Sequence, residues 1–325
     1  MMSVPALRIR SLNEEPIRSE RSFVLYWMTA NRRPSWNGSL DRAVEYAVSL
    51  QKPLVILEAL RTGYQWASDR FHQFILQGMR DNQAALEEEP VLYYPFVECS
   101  NHSGKGLLAA LARHSCVIVT DDFPAFMLPR MIRAAANQVE VQLEAVDSNG
   151  LYPMYATDRV FTVAHSFRRH LQKTLLPHLS WTPKEKPFRS LDFPALAALP
   201  DDIVETWPVA DLEHWTRGEE VLSSLPIDHD VTIVEESPGG IVEAERRFQR
   251  FLKFRLARYA DERNEVDDEA ASALSPYLHF GHIATHRIFS ALVERDSWTP
   301  GHIAEKPNGK RHGRSPRKGG CTAGA

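Results

Sequence analysis

Phe23-Val24-Leu25-Tyr26-Trp27-Met28 is an unbroken apolar run of strand length, and together with the segments C-terminal to it decides the fold class. A run with no polar alternation marks a strand buried on both faces. Residues 40–50 then place Leu40, Ala43, Val44, Ala47 and Leu50 on one helical face, and Pro53 separates them from a second run, Leu54-Val55-Ile56-Leu57. The cycle repeats. Residues 71–86 read as a helix with Phe71, Phe74, Ile75, Met79 and Leu86 inward, ahead of a strand at Pro90-Val91-Leu92-Tyr93-Tyr94. A helix at 106–113 precedes Cys116-Val117-Ile118-Val119-Thr120, which ends in Asp121-Asp122, and a helix at 127–137 precedes an alternating strand at 139–146. Strands alternating with helices in this way predict an α/β domain with a doubly wound parallel sheet.

Ligands of such sheets lie beyond the carboxyl ends of the strands. That directs attention to residues 28–37, 58–64 and 120–126. No GxGxxG comes after the first strand, and Gly104-Lys105-Gly106 lacks P-loop spacing, so an ordinary dinucleotide or ATP domain is not indicated.

The chain has 325 residues, 43% hydrophobic and 25% charged, with a net charge of −4, which suits one large or two ordinary globular domains and excludes a uniformly basic nucleic-acid binder. Cys99, Cys116 and Cys321 are scattered, so neither a disulfide framework nor a zinc site is expected, and reduced thiols in the cytosol are. Residues 1–21 are polar and carry no apolar signal core, and we expect a flexible N-terminal segment. No run reaches membrane-spanning length.

Beyond Tyr152 the pattern changes. Residues 160–179 read as a helix, and residues 181–230, rich in Pro and Asp, as a connector pinned by Trp207 and Trp215. Gly239-Gly240 opens a helix with Ile241, Ala244, Phe248, Phe251, Leu252, Leu256 and Tyr259 on its apolar face. Its Arg246, Arg247, Arg250, Lys253 and Arg258 read either as a solvated basic face or as phosphate contacts. Further on stands Ser272-Ala273-Leu274-Ser275-Pro276-Tyr277-Leu278-His279-Phe280-Gly281. Its serines and open amides at a helix start, with Pro in the first turn, suit an anion or diphosphate. His279, His282 and His286 share a helical face but have no carboxylate or cysteine at ligand spacing, so packing is expected there and no metal. Residues 301–325 are basic and nearly free of apolar side chains. They read as disordered, as a basic arm, or as an aberrant terminus, the last being preferred.

The segment from Gly239 to Phe289 resembles the DNA photolyases. Gly239-Gly240, the helix to Tyr259, Asp261-Glu262-Arg263-Asn264 and residues 271–281 carry the likeness. Val24-Leu25-Tyr26-Trp27-Met28 with Asn31-Arg32-Arg33 and Trp36-Asn37, and Val119-Thr120-Asp121-Asp122-Phe123-Pro124, resemble the class II cyclobutane-dimer photolyases. The resemblance implies an α/β antenna domain (22–155) holding a deazaflavin or a folate, a linker with helices (156–238), the start of an all-helical FAD-binding domain (239–295), and a tail (296–325). It further implies light-driven electron donation from reduced FAD to a pyrimidine dimer flipped out of UV-damaged DNA. The implied protein is a monomer, cytoplasmic or, in a eukaryote, nuclear. Tyr259, Ser272, Ala273, Leu274 and Ser275 would meet the flavin's phosphate and ribose region. Ala271 replaces a common Thr, which removes one hydroxyl contact worth about 1 kcal/mol, and Ala273 stands where Gly or Arg is frequent. Family members run on well past this loop. The reading is therefore of a truncated, impaired photolyase whose helices after Pro276 lack a cover for their apolar faces. A cryptochrome-like photosensor and a non-catalytic remnant are the alternatives.

Overall fold

The computed structural model describes residues 3–265 and 269–300. Six strands form one sheet in the order β1-β6-β5-β2-β3-β4: β1 (Ile9–Ser11), β2 (Phe23–Met28), β3 (Leu54–Leu60), β4 (Val91–Val97), β5 (Ser115–Asp121) and β6 (Leu143–Val146). The five strands from β2 onward are parallel, as the alternation predicts. β2 lies at the centre, buried at all of its positions. The helices α1 (Gly38–Leu50), α2 (Asp69–Leu86), α3 (Leu107–His114) and α4 (Leu128–Ala136) connect them. α1 starts earlier than its apolar face implies, because the Asn37 side chain caps it by accepting from the Ser39 and Leu40 amides at 3.0 and 3.2 Å.

Two expectations need correction. The N-terminal segment is not a loose extension, since β1 pairs antiparallel with β6 and covers an otherwise open edge. Its anchor is Arg8, fully buried, which donates to the carbonyls of Asp147, Gly150 and Leu151 and lies 4.8 Å over the Trp181 ring. A polar stretch with one critical cation hides its burial from any hydropathy reading. The last strand is also shorter than 139–146: Val139 and Val141 are buried in the core yet precede β6.

The stretch read as one helix at 160–179 divides into α5 (Ala164–Thr174) and a 3-10 turn (Leu176–Ser180) that has Pro177 in its opening turn. The connector packs firmly. Its short helices α6 (Asp201–Thr206), α7 (Leu212–Trp215) and α8 (Glu219–Leu222) bury Ile203, Leu212 and Leu222 against the α/β layers.

The remaining helices are α9 (Ile241–Phe254), α10 (Leu256–Glu262), α11 (Ser275–His279) and α12 (Thr285–Arg295). The helix expected to run unbroken to Tyr259 breaks at Arg255. The faces after Pro276, expected to lack a cover, have one in part. Tyr277 and Ile283 pack with Ala244, Phe248 and Phe251 of α9 and with Phe74 of α2, while Leu278 is exposed and α12 buries only His286. Part of that cover comes from the α/β layer, which a local reading of residues 272–289 cannot supply. The basic tail at 301–325 lies outside the described residues.

Candidate functional site

The parallel strands order as β4-β3-β2-β5-β6, so the chain reverses direction across the sheet between β2 and β5. A crevice opens at the carboxyl ends of such a pair. Asp121, at the end of β5, builds its floor. Its Oδ2 accepts from the backbone amides of Thr29, Ala30 and Asn31 at 2.8, 2.7 and 3.0 Å, and its Oδ1 accepts from the Tyr26 hydroxyl and the Asn31 side-chain amide at 2.8 and 3.0 Å. With a longer bond from the Thr29 hydroxyl at 3.4 Å, six donors on one fully buried carboxylate fix the loop after β2. Asp121-Asp122 is thus a loop-fixing element, and Asp122 pairs with Arg10 of β1.

Beyond that loop lies a cavity of about 840 Å³. Trp27, Leu57, Tyr64, Trp66, Phe96 and Phe126 line its apolar wall, with Arg32, Glu98 and Lys105 among its polar groups. The aromatic rings form a connected cluster: Phe126 meets Tyr64 edge-on at 5.7 Å and Trp66 at 5.4 Å. Burial pushes the Tyr64 phenol up to about 12, so it stays neutral and can donate. Burial holds the His72 ring, stacked on Tyr64, down at about 4. Arg32 forms an ion pair with the fully buried Glu58 at 2.9 Å, and Glu58 also accepts from Asn82 and Tyr93 at 2.9 and 2.7 Å. The cavity therefore offers an aromatic slot with a charged end, suited to a planar heterocycle.

The helical region closes one side of this space. His279 and Phe280, at the end of α11, line the same cavity. Gly281 sits directly on the β2 loop, where a Cβ would fall 1.9 Å from the Ala30 carbonyl oxygen, and Arg33 donates to the Gly281 carbonyl at 2.8 Å. His282 is buried, stacks on Phe74 at 5.0 Å and accepts from the Gly240 amide at 2.9 Å. His286 meets Trp181 edge-on. Burial, aided by nearby arginines including Arg33, depresses both rings to about 3. These two are packing histidines, whereas His279 belongs to the cavity wall.

Ser272, Ala273, Leu274 and Ser275 form a tight entry to α11. Leu274 is its buried anchor, Ala273 takes a left-handed φ of 58°, and Ser275 is exposed at the first helical position. The Ser272 hydroxyl accepts from the Leu274 amide at 3.4 Å. Tyr259 lies on α10, not in this loop. Its ring packs edge-on against Phe251 at 5.4 Å, and Phe251 shares the core of Leu274. Arg255, between α9 and α10, donates to the Ala271 carbonyl at 3.2 Å and pairs with Glu269. These contacts hold the α9–α10 corner against the loop. The basic residues of α9 and α10 are largely matched by their own acids: Arg246 and Arg247 pair with Glu243, and Arg258 with Glu262. Their solvated reading is the better one.

Sequence reasoning located the three strand-end segments but missed Phe96, Lys105 and the contribution of His279 and Phe280 to the cavity. The carboxyl end of β4 was the available signal for Phe96, while His279 and Phe280 arrive from a distant part of the chain and carry none. Among the described residues, no group of three metal-binding side chains converges, and no helix is long and apolar enough to cross a membrane.

No family model matches the chain. It is 28% identical over 288 residues to the deoxyribodipyrimidine photo-lyase of Methanothermobacter thermautotrophicus, covering 86% of this chain and 58% of that protein. The enzyme of the same name from Potorous tridactylus is 23% identical over 302 residues, covering 91% of this chain and 53% of that protein. Among solved structures, the class III photolyase of Agrobacterium tumefaciens superposes with a TM-score of 0.61 at 16% identity, over 88% of this chain and 55% of that one. The structural likeness shows that the chain shares its fold with photolyases. An archaeal photolyase from Sulfolobus tokodaii, solved with two FAD molecules, superposes with a TM-score of 0.55 at 15% identity, over 84% of this chain and 58% of that one. The chain spans a little over half the length of these relatives.

Proposed function

We propose that the chain is the α/β domain and the opening of the FAD-binding domain of a deoxyribodipyrimidine photolyase, acting on cyclobutane pyrimidine dimers in UV-damaged DNA. The observation that carries this is the match to the Methanothermobacter enzyme across 86% of the chain. The domain division at 22–155, 156–238 and 239–295 follows the same reading. The class II form is proposed on the resemblance of Asn31, Arg33 and Asn37, which the fold uses to set the β2 loop.

The residues present fit the implied cofactors. The cavity would take a planar antenna, a deazaflavin or a folate, against the aromatic wall that Tyr64, Trp66 and Phe126 form. For FAD, the exposed Ser275 hydroxyl and backbone amide at the first position of α11 would hold the diphosphate, with Ser272, Ala273 and Leu274 shaping the turn and Tyr259 flanking it. Bound reduced FAD supplies the light-driven electron that splits the dimer. The chain's own work is positional. Leu274 and Tyr277 anchor the loop in the core, the Tyr277 hydroxyl donates to the Pro238 carbonyl at 2.7 Å, and burial pushes that phenol up to about 12, which keeps it neutral. Gly281 then locks the loop to the β2 turn.

The test is the absorption spectrum of the purified chain, followed by blue-light repair of a dimer-bearing oligonucleotide. Stoichiometric flavin with repair supports the reading. Flavin without repair favours a photosensory protein of the cryptochrome type. A colourless chain that also fails to take up added FAD refutes it.

A further inference from the structure

The face of α5 has no role in the site just described. One side of this helix, Phe167, His170 and Leu171, is half-buried to exposed, and its packing is local. Phe161 packs on Phe167 and His170 at 5.2 and 4.9 Å, and the Tyr152 hydroxyl meets His170 Nε2 at 2.9 Å. The opposite side carries His165, Arg169 and Lys173 at four-residue spacing, all exposed. Such residues stack in one row, each step rising about 6 Å along the helix. Among the described residues Arg169 and Lys173 make no ion pair; on α9 Arg246 and Arg247 are matched, while Arg250 and Lys253 are exposed without an ion pair but stand on a helix that also carries Glu243 and Glu245. The surrounding sequence deepens the contrast. Residues 159–184 hold Arg159, Arg168, Arg169, Lys173 and Lys184 and not one Asp or Glu, within a chain of net charge −4.

A helix with two exposed cations, Arg169 and Lys173, one turn apart and no acid within its segment is a surface for a regular polyanion. We propose that α5 tracks the phosphate backbone of duplex DNA, independent of sequence and of damage, as a second contact outside the loop at 271–275. The choice of DNA among polyanions rests on the photolyase reading, while the row of charges does not. Backbone contacts of this kind release counterions, so binding weakens steeply with salt.

The experiment measures binding of a labelled, lesion-free duplex to the full chain between about 50 and 200 mM salt. The comparison is with Arg169→Glu/Lys173→Glu and, as a milder second variant, Arg169→Gln/Lys173→Gln. Loss of two phosphate contacts lowers the log–log salt slope by about 2, so the variants' affinity falls about tenfold less than the wild type's over that range. Arg250→Glu/Lys253→Glu on α9 carries the same charge change and leaves the slope within about half a unit. Unchanged circular dichroism and melting verify the fold. An unaltered slope in both α5 variants, an equal drop in the α9 variant, or binding to polyglutamate as tight as to duplex overturns the proposal. Flavin retention and dimer repair report separately: a wild-type chain without either, yet with an α5-dependent slope, sinks the photolyase reading and leaves the DNA surface standing.

Discussion

Gly78 lies in the middle of α2, where alanine is ordinarily the better helix former by about 1 kcal/mol. Here we expect the reverse. A Cβ at position 78 would stand 2.4 Å from His282 Nε2, 2.8 Å from its Cε1 and 3.1 Å from its Cδ2. The ring has no room to retreat, being stacked on Phe74 and held by the Gly240 amide at Nδ1. Forcing a methyl into such packing costs about 1–3 kcal/mol. Losing the hydrogen bond to a shifted ring adds about 1 kcal/mol. After the helical gain is subtracted, Gly78→Ala destabilises the chain by about 1–3 kcal/mol. Urea unfolding measures the loss, and limited proteolysis shows whether residues 239–300 detach first. The decisive arm is a double-mutant cycle. In a His282→Ala background the methyl has space, so Gly78→Ala becomes neutral or stabilising. A Gly78→Ala variant as stable as wild type, or a coupling to His282 below about 0.5 kcal/mol, would falsify the account of the junction between α2 and the helical region.

Other expectations rest on the same geometry. Asp121→Asn turns one acceptor into a donor facing donors, so stability drops by about 2–4 kcal/mol in urea unfolding, where a loss under about 1 kcal/mol would contradict the description of a carboxylate holding six donors. Tyr64→Ala with Trp66→Ala removes two cavity walls and reduces uptake of an aromatic chromophore at least about tenfold by absorbance, because losing aromatic packing costs about 1–3 kcal/mol. Melting should fall modestly, since Trp66 is 55% exposed while the half-buried Tyr64 packs on His72 and Phe126. Acid should also destabilise the fold. His72, His282 and His286 are held at about 4, 3 and 3, below their ordinary 6.5, so the unfolded chain binds more protons below pH 6.5. The stabilisation they give as neutral rings is complete above that pH and lost as pH falls toward those folded values. Asp41 opposes them: burial raises it from 3.8 to about 7, so in that window the folded state binds the extra proton. Three histidines against one carboxyl leave a net of two protons, and unfolding free energy falls by up to about 3 kcal/mol per pH unit between roughly pH 6 and 4. Urea midpoints across that range test the sign, and Asp41→Asn steepens the fall.

Much of the architecture was legible because each parallel strand is apolar on both faces and each intervening helix on one. Phe23 to Met28 needs no tertiary information to be read as a central strand, and the carboxyl-end rule for such sheets points to residues 28–37 and 120–126. Short elements escaped. β1 is three residues long and polar around Ile9, so its place in the sheet depends on Arg8 finding carbonyls at 147, 150 and 151. The α9–α10 break at Arg255 carries no Pro or Gly to announce it.

The sequence by itself determined the alternating fold and the loop Ser272 to Gly281, since periodicity, turn residues and motif spacing are local properties of a chain. Only the tertiary structure decided that this loop is roofed by Phe74 of α2, that Gly281 rests on the Ala30 carbonyl, and that Phe280 helps wall a cavity opened by β2 and β3. Those contacts join residues some two hundred positions apart, and their strength lies in close packing, which no spacing along the chain encodes.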